Sequence, residues 1–283
     1  MSWLSSFRER TVLVTGASSG IGRAVALAFA AAGARVALVA RRREVLEEVA
    51  RLAGGETLVL PADVTRQDDV RAAFREATAH FGQLDVVVNN AGVLLPAPVV
   101  DIASADLEKM LRVNLFGALF VMQEAVRSMR DGGGGSIVNV ASLAGRRGVT
   151  PLGGYCASKF ALIGLTEALR TELLDEPIHV GLVLPGVVET PMVEQVSHDS
   201  EFLDFWPSSL NMPPSWVVWA VFASVRFGLV EVSVPPGAGT MEKLAALAPG
   251  MADTIVEWAR ATSHWWTARR SDGNDGRMPP RPR

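Results

Sequence analysis

Apolar residues in this chain fall in short unbroken runs, and stretches of helical periodicity separate them. Thr11–Thr15 (TVLVT) is a β-branched run that ends at a glycine-rich turn. Over 21–32, Ile21, Val25, Ala28 and Phe29 recur at helical spacing, which predicts a helix that Gly33 stops. Arg35–Ala40 (RVALVA) reads as a second strand, 44–52 as a helix and 56–60 as a third strand. The alternation continues with helix 70–81, strand 84–88, a long helix 107–129 and a Gly-rich turn at 132–135. Strand 136–140, helix 155–174 and strand 179–184 follow.

None of these strands alternates polar with apolar residues, so each is buried on both faces, as in a parallel sheet covered by helices. Right-handed crossovers make it a doubly wound α/β sheet of the Rossmann type. After Pro185 the pattern is more mixed. Residues 187–214 carry Pro191, Pro207, Pro213 and Pro214 and read as a substrate lid with short helices. A helix over 215–227 and a seventh strand over 230–234 follow. Leu244, Leu247, Met251, Ile255 and Trp258 mark an amphipathic helix over 241–261, interrupted near Pro249 and Gly250. The last stretch, 271–283, lacks core-forming residues and reads as a disordered tail. The expected organisation is one domain over 1–240 that includes the lid, a C-terminal helical extension over 241–270 packed on it, and the tail.

Composition narrows the classes. A chain of 283 residues with 49% hydrophobic and 20% charged residues builds a sizeable core in one large domain. A net charge of -3 gives no basic footprint for nucleic acid. The single cysteine, Cys156, forbids an internal disulfide and fits a reducing, cytoplasmic setting; a small buried residue is the reading favoured over a reactive thiol. Arg8, Glu9 and Arg10 fall where a secretory signal would be apolar. The apolar run 216–225 is shorter than the roughly 18 residues of a membrane span. His80, His179, His198 and His264 lie in different elements without ligand spacing, so surface or loop roles and no metal site are expected.

The candidate chemistry begins at 15–22, TGASSGIG, between a predicted strand and a predicted helix. Gly16 allows a tight turn, Gly20 and Gly22 allow close approach, and Ser18, Ser19 and Ile21 sit at the helix start. A helix N-terminus there offers free N–H groups and partial positive charge to a pyrophosphate. The alternative is an ordinary strand–helix turn. At the end of the second strand, a carboxylate would select the ribose hydroxyl of NAD, whereas arginine accommodates the extra phosphate of NADP. Ala40 is followed by Arg41, Arg42 and Arg43, so NADP(H) is favoured over NAD(H), with Arg41 the principal candidate. For Arg42 and Arg43, a solvated start to the next helix stands as the alternative.

Tyr155 and Lys159 share one face of a predicted helix, and Tyr155 is the only tyrosine. A nearby ammonium favours phenolate over an ordinary pKa of about 10, so the pair is a candidate acid/base. Ser142 ends the fifth strand, at the sheet edge where ligands bind in such folds.

TGASSGIG, Asp63-Val64, NNAG at 89–92, Asn114 in RVNLFG, Ser142 in VNVAS, YCASK at 155–159 and Pro185-Gly186 with Thr190 occur in one order. In that order and spacing, over roughly 10–192, the chain resembles the short-chain dehydrogenase/reductase family, in its compact single-domain branch. The resemblance implies an NAD(P)-dependent oxidoreductase interconverting a carbonyl and an alcohol. It makes Tyr155 the general acid/base and gives Lys159 the nicotinamide ribose and the lowering of the Tyr155 pKa. Ser142 would hold the substrate oxygen, and Asn114 would anchor a water in a relay to Lys159. Asp63 and Val64 would meet the adenine, although Asp63 alone reads as a helix N-cap. Asn90 and Gly92 would line the adenosine ribose. Pro185, Gly186, Val188 and Thr190 would meet the nicotinamide side. Family members resemble dimers or tetramers, and Leu162, Leu165 and Leu169 are candidates for such an interface or for packing on the sheet.

The chain departs from the branch after Val234, continuing through PPGAG into a segment with Trp258, Trp265 and Trp266 beside Arg260, Arg269 and Arg270. Packing within the protein or an oligomer is favoured there over peripheral membrane contact, because Asp253 and Glu257 interrupt the apolar surface. The lid residues Met192, Val193, Phe202, Leu203, Phe205, Trp206, Leu210 and Met212, with Leu94, Leu95, Leu143 and Leu152, suggest a hydrophobic carbonyl or alcohol substrate. Arg146 and Arg147 could receive an acidic group, with solvation the favoured reading. A non-catalytic dinucleotide sensor or scaffold on the same fold is the alternative function; the intact acid/base set disfavours it.

Overall fold

The computed structural model describes residues 7–194, 211–245, 247 and 250. Seven parallel strands form one sheet in the order β3-β2-β1-β4-β5-β6-β7. They are β1 Thr11–Thr15, β2 Arg35–Ala40, β3 Thr57–Pro61, β4 Val86–Asn89, β5 Gly135–Val140, β6 Ile178–Pro185 and β7 Glu231–Val234. The helices are α1 Gly20–Ala31, α2 Arg43–Ala53, α3 Gln67–Phe81, α4 Ser104–Leu111, α5 Ala118–Gly132, α6 Gly153–Glu172, α7 Pro214–Phe227 and α8 Ala238–Ala245.

Strand alternation sorts the core into two layers. Val12, Val14, Val36, Leu38 and Val88 face one side, with Phe29, Leu46 and Phe222 from α1, α2 and α7. Leu13, Ala37, Val39 and Val87 face the other, with Phe74, Val121 and Leu162 from α3, α5 and α6. Both faces are covered, which is why the strands carry no polar alternation. Phe7, Phe29 and Phe222 form an aromatic cluster, the last two with centroids 4.4 Å apart.

The strand order reverses between β1 and β4, leaving a crevice at the carboxyl ends of these strands. Thr15 stitches it: its Oγ1 accepts from the N–H groups of Asn90 (3.0 Å) and Ala91 (3.1 Å).

Three sequence expectations change. The long helix over 107–129 is divided: a π-helical turn, Arg112–Gly117, separates α4 from α5. Apolar periodicity on either side stays helical, so an inserted residue leaves no mark in it. Asp63 does not cap α3, whose N-cap is Arg66. Its carboxylate accepts from the Thr65 N–H (3.0 Å) and hydroxyl (2.8 Å), closing the turn that precedes the helix. Leu162 is in the core, with Leu165 and Leu169 packed against it, so this run faces the sheet. The exposed large apolar side chain of α6 is Phe160.

The two described ends of the expected lid meet where Val188 pairs with Met212. Phe202, Leu203, Phe205, Trp206 and Leu210 lie outside the described residues, as do 246, 248–249 and everything from 251 on. The extension beyond α8, the tail and their tryptophans are therefore not described. Among the described residues, no helix is long and apolar enough to cross a membrane.

Candidate active site

A cleft of about 570 Å³ follows the crevice along the carboxyl edge of the sheet. Gly16, Ser18, Ser19, Gly20 and Ile21 supply one wall, from the turn between β1 and α1. Gly22 lies just behind it: a Cβ there would stand 2.3 Å from the Gly16 carbonyl oxygen and 2.5 Å from Asn90 Nδ2. Only glycine lets α1 start this close to the turn. Ser19, the N-cap of α1, makes no side-chain capping bond, and the first turn holds no acidic residue. The free N–H groups and the helix dipole thus face the cleft uncompensated, as a phosphate site requires.

Beyond the turn, the cleft is lined by Ala40, Arg41 and Arg42 after β2, and by Ala62, Asp63, Val64 and Thr65 after β3. Arg41 and Arg42 are exposed, and neither side chain makes a hydrogen bond or ion pair to a described residue. Arg43 instead points along α2 to Glu47 (3.9 Å) and does not line the cleft. Asn90, Ala91 and Gly92 form the floor beyond β4. Ala105, Glu108, Lys109 and Arg112 of α4 and the π turn also border the cleft. No motif marks them in the sequence.

Tyr155, Lys159, Thr190 and Met192 line the far end. Ser142, just beyond the end of β5, lies close enough to the Tyr155 hydroxyl to draw its pKa down. Ser142 Oγ accepts from the Ala144 N–H (3.1 Å) and donates to the Pro185 carbonyl (3.3 Å). Lys159, one turn along α6, donates to the Val140 carbonyl (3.1 Å), with its Nζ 5.7 Å from the centroid of the Tyr155 ring. Asn114 is buried in the π turn. Its Oδ1 accepts from the Val93 N–H (2.8 Å), and its Nδ2 donates to the Val93 carbonyl and to Ser158 Oγ (both 2.9 Å). Ser158 donates in turn to the Tyr155 carbonyl (2.7 Å), tying the π turn to the start of α6. A Cβ on Gly92 would lie 3.3 Å from Asn114 Oδ1 and 3.7 Å from Lys159 Nζ, so both groups converge on that point of the floor. Ser158 lay within the YCASK motif and was not singled out from sequence.

Burial dominates the protonation of this end. It pushes the Tyr155 phenol up to about 12, against the pull of Ser142. It draws Lys159 down to about 8. Among the protein's own groups the tyrosine is thus raised where a lowering was expected: desolvation outweighs the pull of Ser142. At neutral pH the phenol is protonated, the form a general acid needs.

Pro185, Gly186 and Val188 stand behind the cleft rather than on its surface: the Gly186 N–H donates to the Val234 carbonyl (2.7 Å) and Val188 is buried. Thr190 Oγ1 donates to the Val188 carbonyl (3.2 Å). Arg146 corrects the reading of a solvated residue. It is largely buried and donates to Glu167 (2.6 Å) and Glu231 (2.7 Å), so it is not available to an acidic substrate. Cys156 is buried, and burial pushes its thiol up, away from reactivity. His179 is a half-buried strand residue, 3.3 Å from Ser224 Oγ, rather than a surface one. Among the described residues, no cluster of His, Cys, Asp and Glu could hold a metal.

Comparison with known proteins agrees with this geometry. The family profile for short chain dehydrogenase matches residues 10–201. Sorbitol dehydrogenase of Cereibacter sphaeroides is 37% identical over 220 residues, 77% of this chain and 84% of that protein. A 3beta-hydroxysteroid dehydrogenase of Mediterraneibacter gnavus is 38% identical over 204 residues, 69% of this chain and 72% of that one. A crystal structure of a short-chain type dehydrogenase/reductase from Mycobacterium marinum superposes with a TM-score of 0.75 at 31% identity, covering 81% of this chain and 94% of that one.

Proposed function

The chain belongs to the short-chain dehydrogenase family, and from that premise we propose that it is an NADP(H)-dependent enzyme interconverting a carbonyl and an alcohol on a hydrophobic small molecule, with Tyr155 as its general acid/base. As a member of the family it is an oxidoreductase acting on CH–OH groups with NAD(P). The observation that carries the finer reading is Tyr155 and Lys159 together at one end of a cleft of about 570 Å³ whose other wall is the uncapped start of α1, with Ser142 beside the phenol.

The dinucleotide, when bound, supplies the hydride chemistry. The uncapped start of α1, with Ser18 and Ser19, holds the pyrophosphate, and Asp63 and Val64 border the adenine. Arg41, unpaired at the adenosine end, supports the phosphate-bearing form, with Arg42 beside it. Asn90 and Gly92 line the ribose side, and Thr190 meets the carboxamide side.

Ser142 donates to the substrate oxygen, which fixes the carbonyl beside the phenol. Tyr155 then protonates that oxygen in reduction or takes its proton in oxidation. Lys159 holds a positive charge next to the phenol below about pH 8 and stabilises the phenolate as it forms. Asn114 fixes the floor against which the Lys159 ammonium sits. Leu94, Leu95, Leu143, Leu152 and Met192 are partly or fully buried around this end, which supports an apolar substrate. We also propose a homo-oligomer, a dimer or tetramer, on the exposed Phe116 and Phe160 of the π turn and α6. The buried, unpaired Cys156 supports a reducing, cytoplasmic setting.

The test is turnover of purified protein on a carbonyl panel that ranges from small polar keto acids to bulky apolar ketones, with NADPH and NADH compared. The reading expects NADPH-dependent reduction that is fastest on apolar ketones. Equal rates across the panel would contradict the substrate class, and NADH preference would contradict the role of Arg41.

A further inference from the structure

We propose that Arg146 is a positioning residue for Ser142: it braces the Ser142 turn against the helix that carries Tyr155 and Lys159. The inference rests on the reading of Ser142 as the group that holds the substrate oxygen. Ser142 caps a single 3-10 turn, Leu143–Gly145, and Arg146 is the residue that ends it. The turn is closed by Gly145 N–H to the Ser142 carbonyl and Arg146 N–H to the Leu143 carbonyl, both 2.9 Å. From there the Arg146 guanidinium reaches Glu167 on α6 (2.6 Å) and Glu231 on β7 (2.7 Å). Lys243 of α8 also holds Glu231 (2.8 Å), so two cations and two carboxylates balance.

Contact between turn and helix is close. A Cβ on Gly145 would lie 2.9 Å from the backbone carbonyl of Lys159 and 2.7 Å from Ile163 Cδ1. The turn therefore sits on α6 at the level of the catalytic lysine, and the Arg146–Glu167 bond fastens it two turns further along. Net stability is a poor explanation for the network. Solvent screens the pairs, because the Glu167 and Lys243 side chains are 41% and 52% exposed, and such ion pairs contribute little. The network also leaves Arg146 Nε buried without a partner among the described residues. What it does provide is a fixed distance between the Ser142 turn and α6. A misplacement of about 1 Å in a reacting geometry lowers rate by as much as about 10²-fold.

The experiment is a double-mutant cycle on kcat, with wild type, Ser142→Ala, Arg146→Met and the double variant, alongside NADPH affinity by tryptophan fluorescence. Expected are a loss of about 10²-fold for Ser142→Ala and about tenfold for Arg146→Met, with NADPH affinity unchanged. The double variant should be no slower than Ser142→Ala by more than about twofold, because the brace acts through the serine. Arg146→Lys, which retains the charge on a shorter stem than the one that brings Nη2 to both Glu167 and Glu231, should fall between wild type and Arg146→Met, and it carries the same cycle if the methionine variant does not fold. Losses that multiply, or a wild-type kcat in the Arg146 variants, would overturn the proposal. A Ser142→Ala enzyme with wild-type kcat would overturn the reading of Ser142 itself, and the brace with it.

Discussion

At Lys159 the site keeps a charge where burial opposes it. The folded pKa of about 8 lies below the ordinary 10.5. The unfolded chain therefore binds more protons between these values, and this residue's contribution to stability is complete above about 10.5 and lost as pH falls through about 8. At pH 7 the buried ammonium is a net cost, so Lys159→Met should abolish turnover yet raise stability by about 2 kcal/mol, read by denaturant unfolding. For the same reason, kcat/KM for carbonyl reduction should be level at neutral pH and decline as pH rises through about 8, since Tyr155 stays protonated to about 12. A profile that climbs above that point would assign the titration to another group. At the opposite end of the cleft, Arg41→Ala should raise the KM for NADPH about 10- to 100-fold and leave NADH nearly unchanged, as expected for one lost charge-assisted contact. Tyr155, Lys159, Ser142 and Arg41 were legible in sequence because their spacing and strand-end positions are local. Arg146 was not: its partners Glu167 and Glu231 come from distant elements, and nothing local separates a bridged arginine from a solvated one.

Among the elements, strands were legible because burial on both faces writes an unbroken apolar run. The register between them was not, and it rests partly on polar residues inside the core. Asn89 Nδ2 donates to the Ala118 carbonyl (2.9 Å) and to Asn139 Oδ1 (2.8 Å), and Asn139 donates to Thr166 Oγ1 (3.1 Å). This chain links β4 and β5 to α5 and α6, and it holds the first carbonyl after the π turn. Asn139→Leu should cost about 1–3 kcal/mol, because it removes one of two partners from the Asn89 amide and from the Thr166 hydroxyl, which keep the Ala118 and Leu162 carbonyls. Denaturant midpoints at unchanged slope would measure it, and a neutral substitution would show that the ladder is dispensable. The π turn escaped the sequence reading for the reason that makes it useful: one added residue rotates Asn114 toward Val93 and Ser158 without disturbing the apolar stripe on either side.

The whole molecule places cofactor contacts, acid/base and substrate wall along one sheet edge, which follows from the reversal of strand order between β1 and β4. That arrangement was legible from the alternation of strand and helix alone. The outer surface was not: Leu162, Leu165 and Leu169, open from sequence to an interface or to the sheet, pack toward the sheet, and the exposed aromatic on α6 is Phe160. Phe160→Glu should therefore shift the oligomer to a smaller species in light scattering, whereas Leu162→Ala should lower stability without changing mass. The central claim is that Tyr155 moves the proton. The most direct test compares wild type with Tyr155→Phe for NADPH-dependent carbonyl reduction, with cofactor affinity measured on both. The account predicts unchanged affinity and a kcat lower by about 10²- to 10⁴-fold. A Phe variant that turns over like wild type would contradict it, and so would a wild-type protein that binds the dinucleotide tightly and reduces no carbonyl.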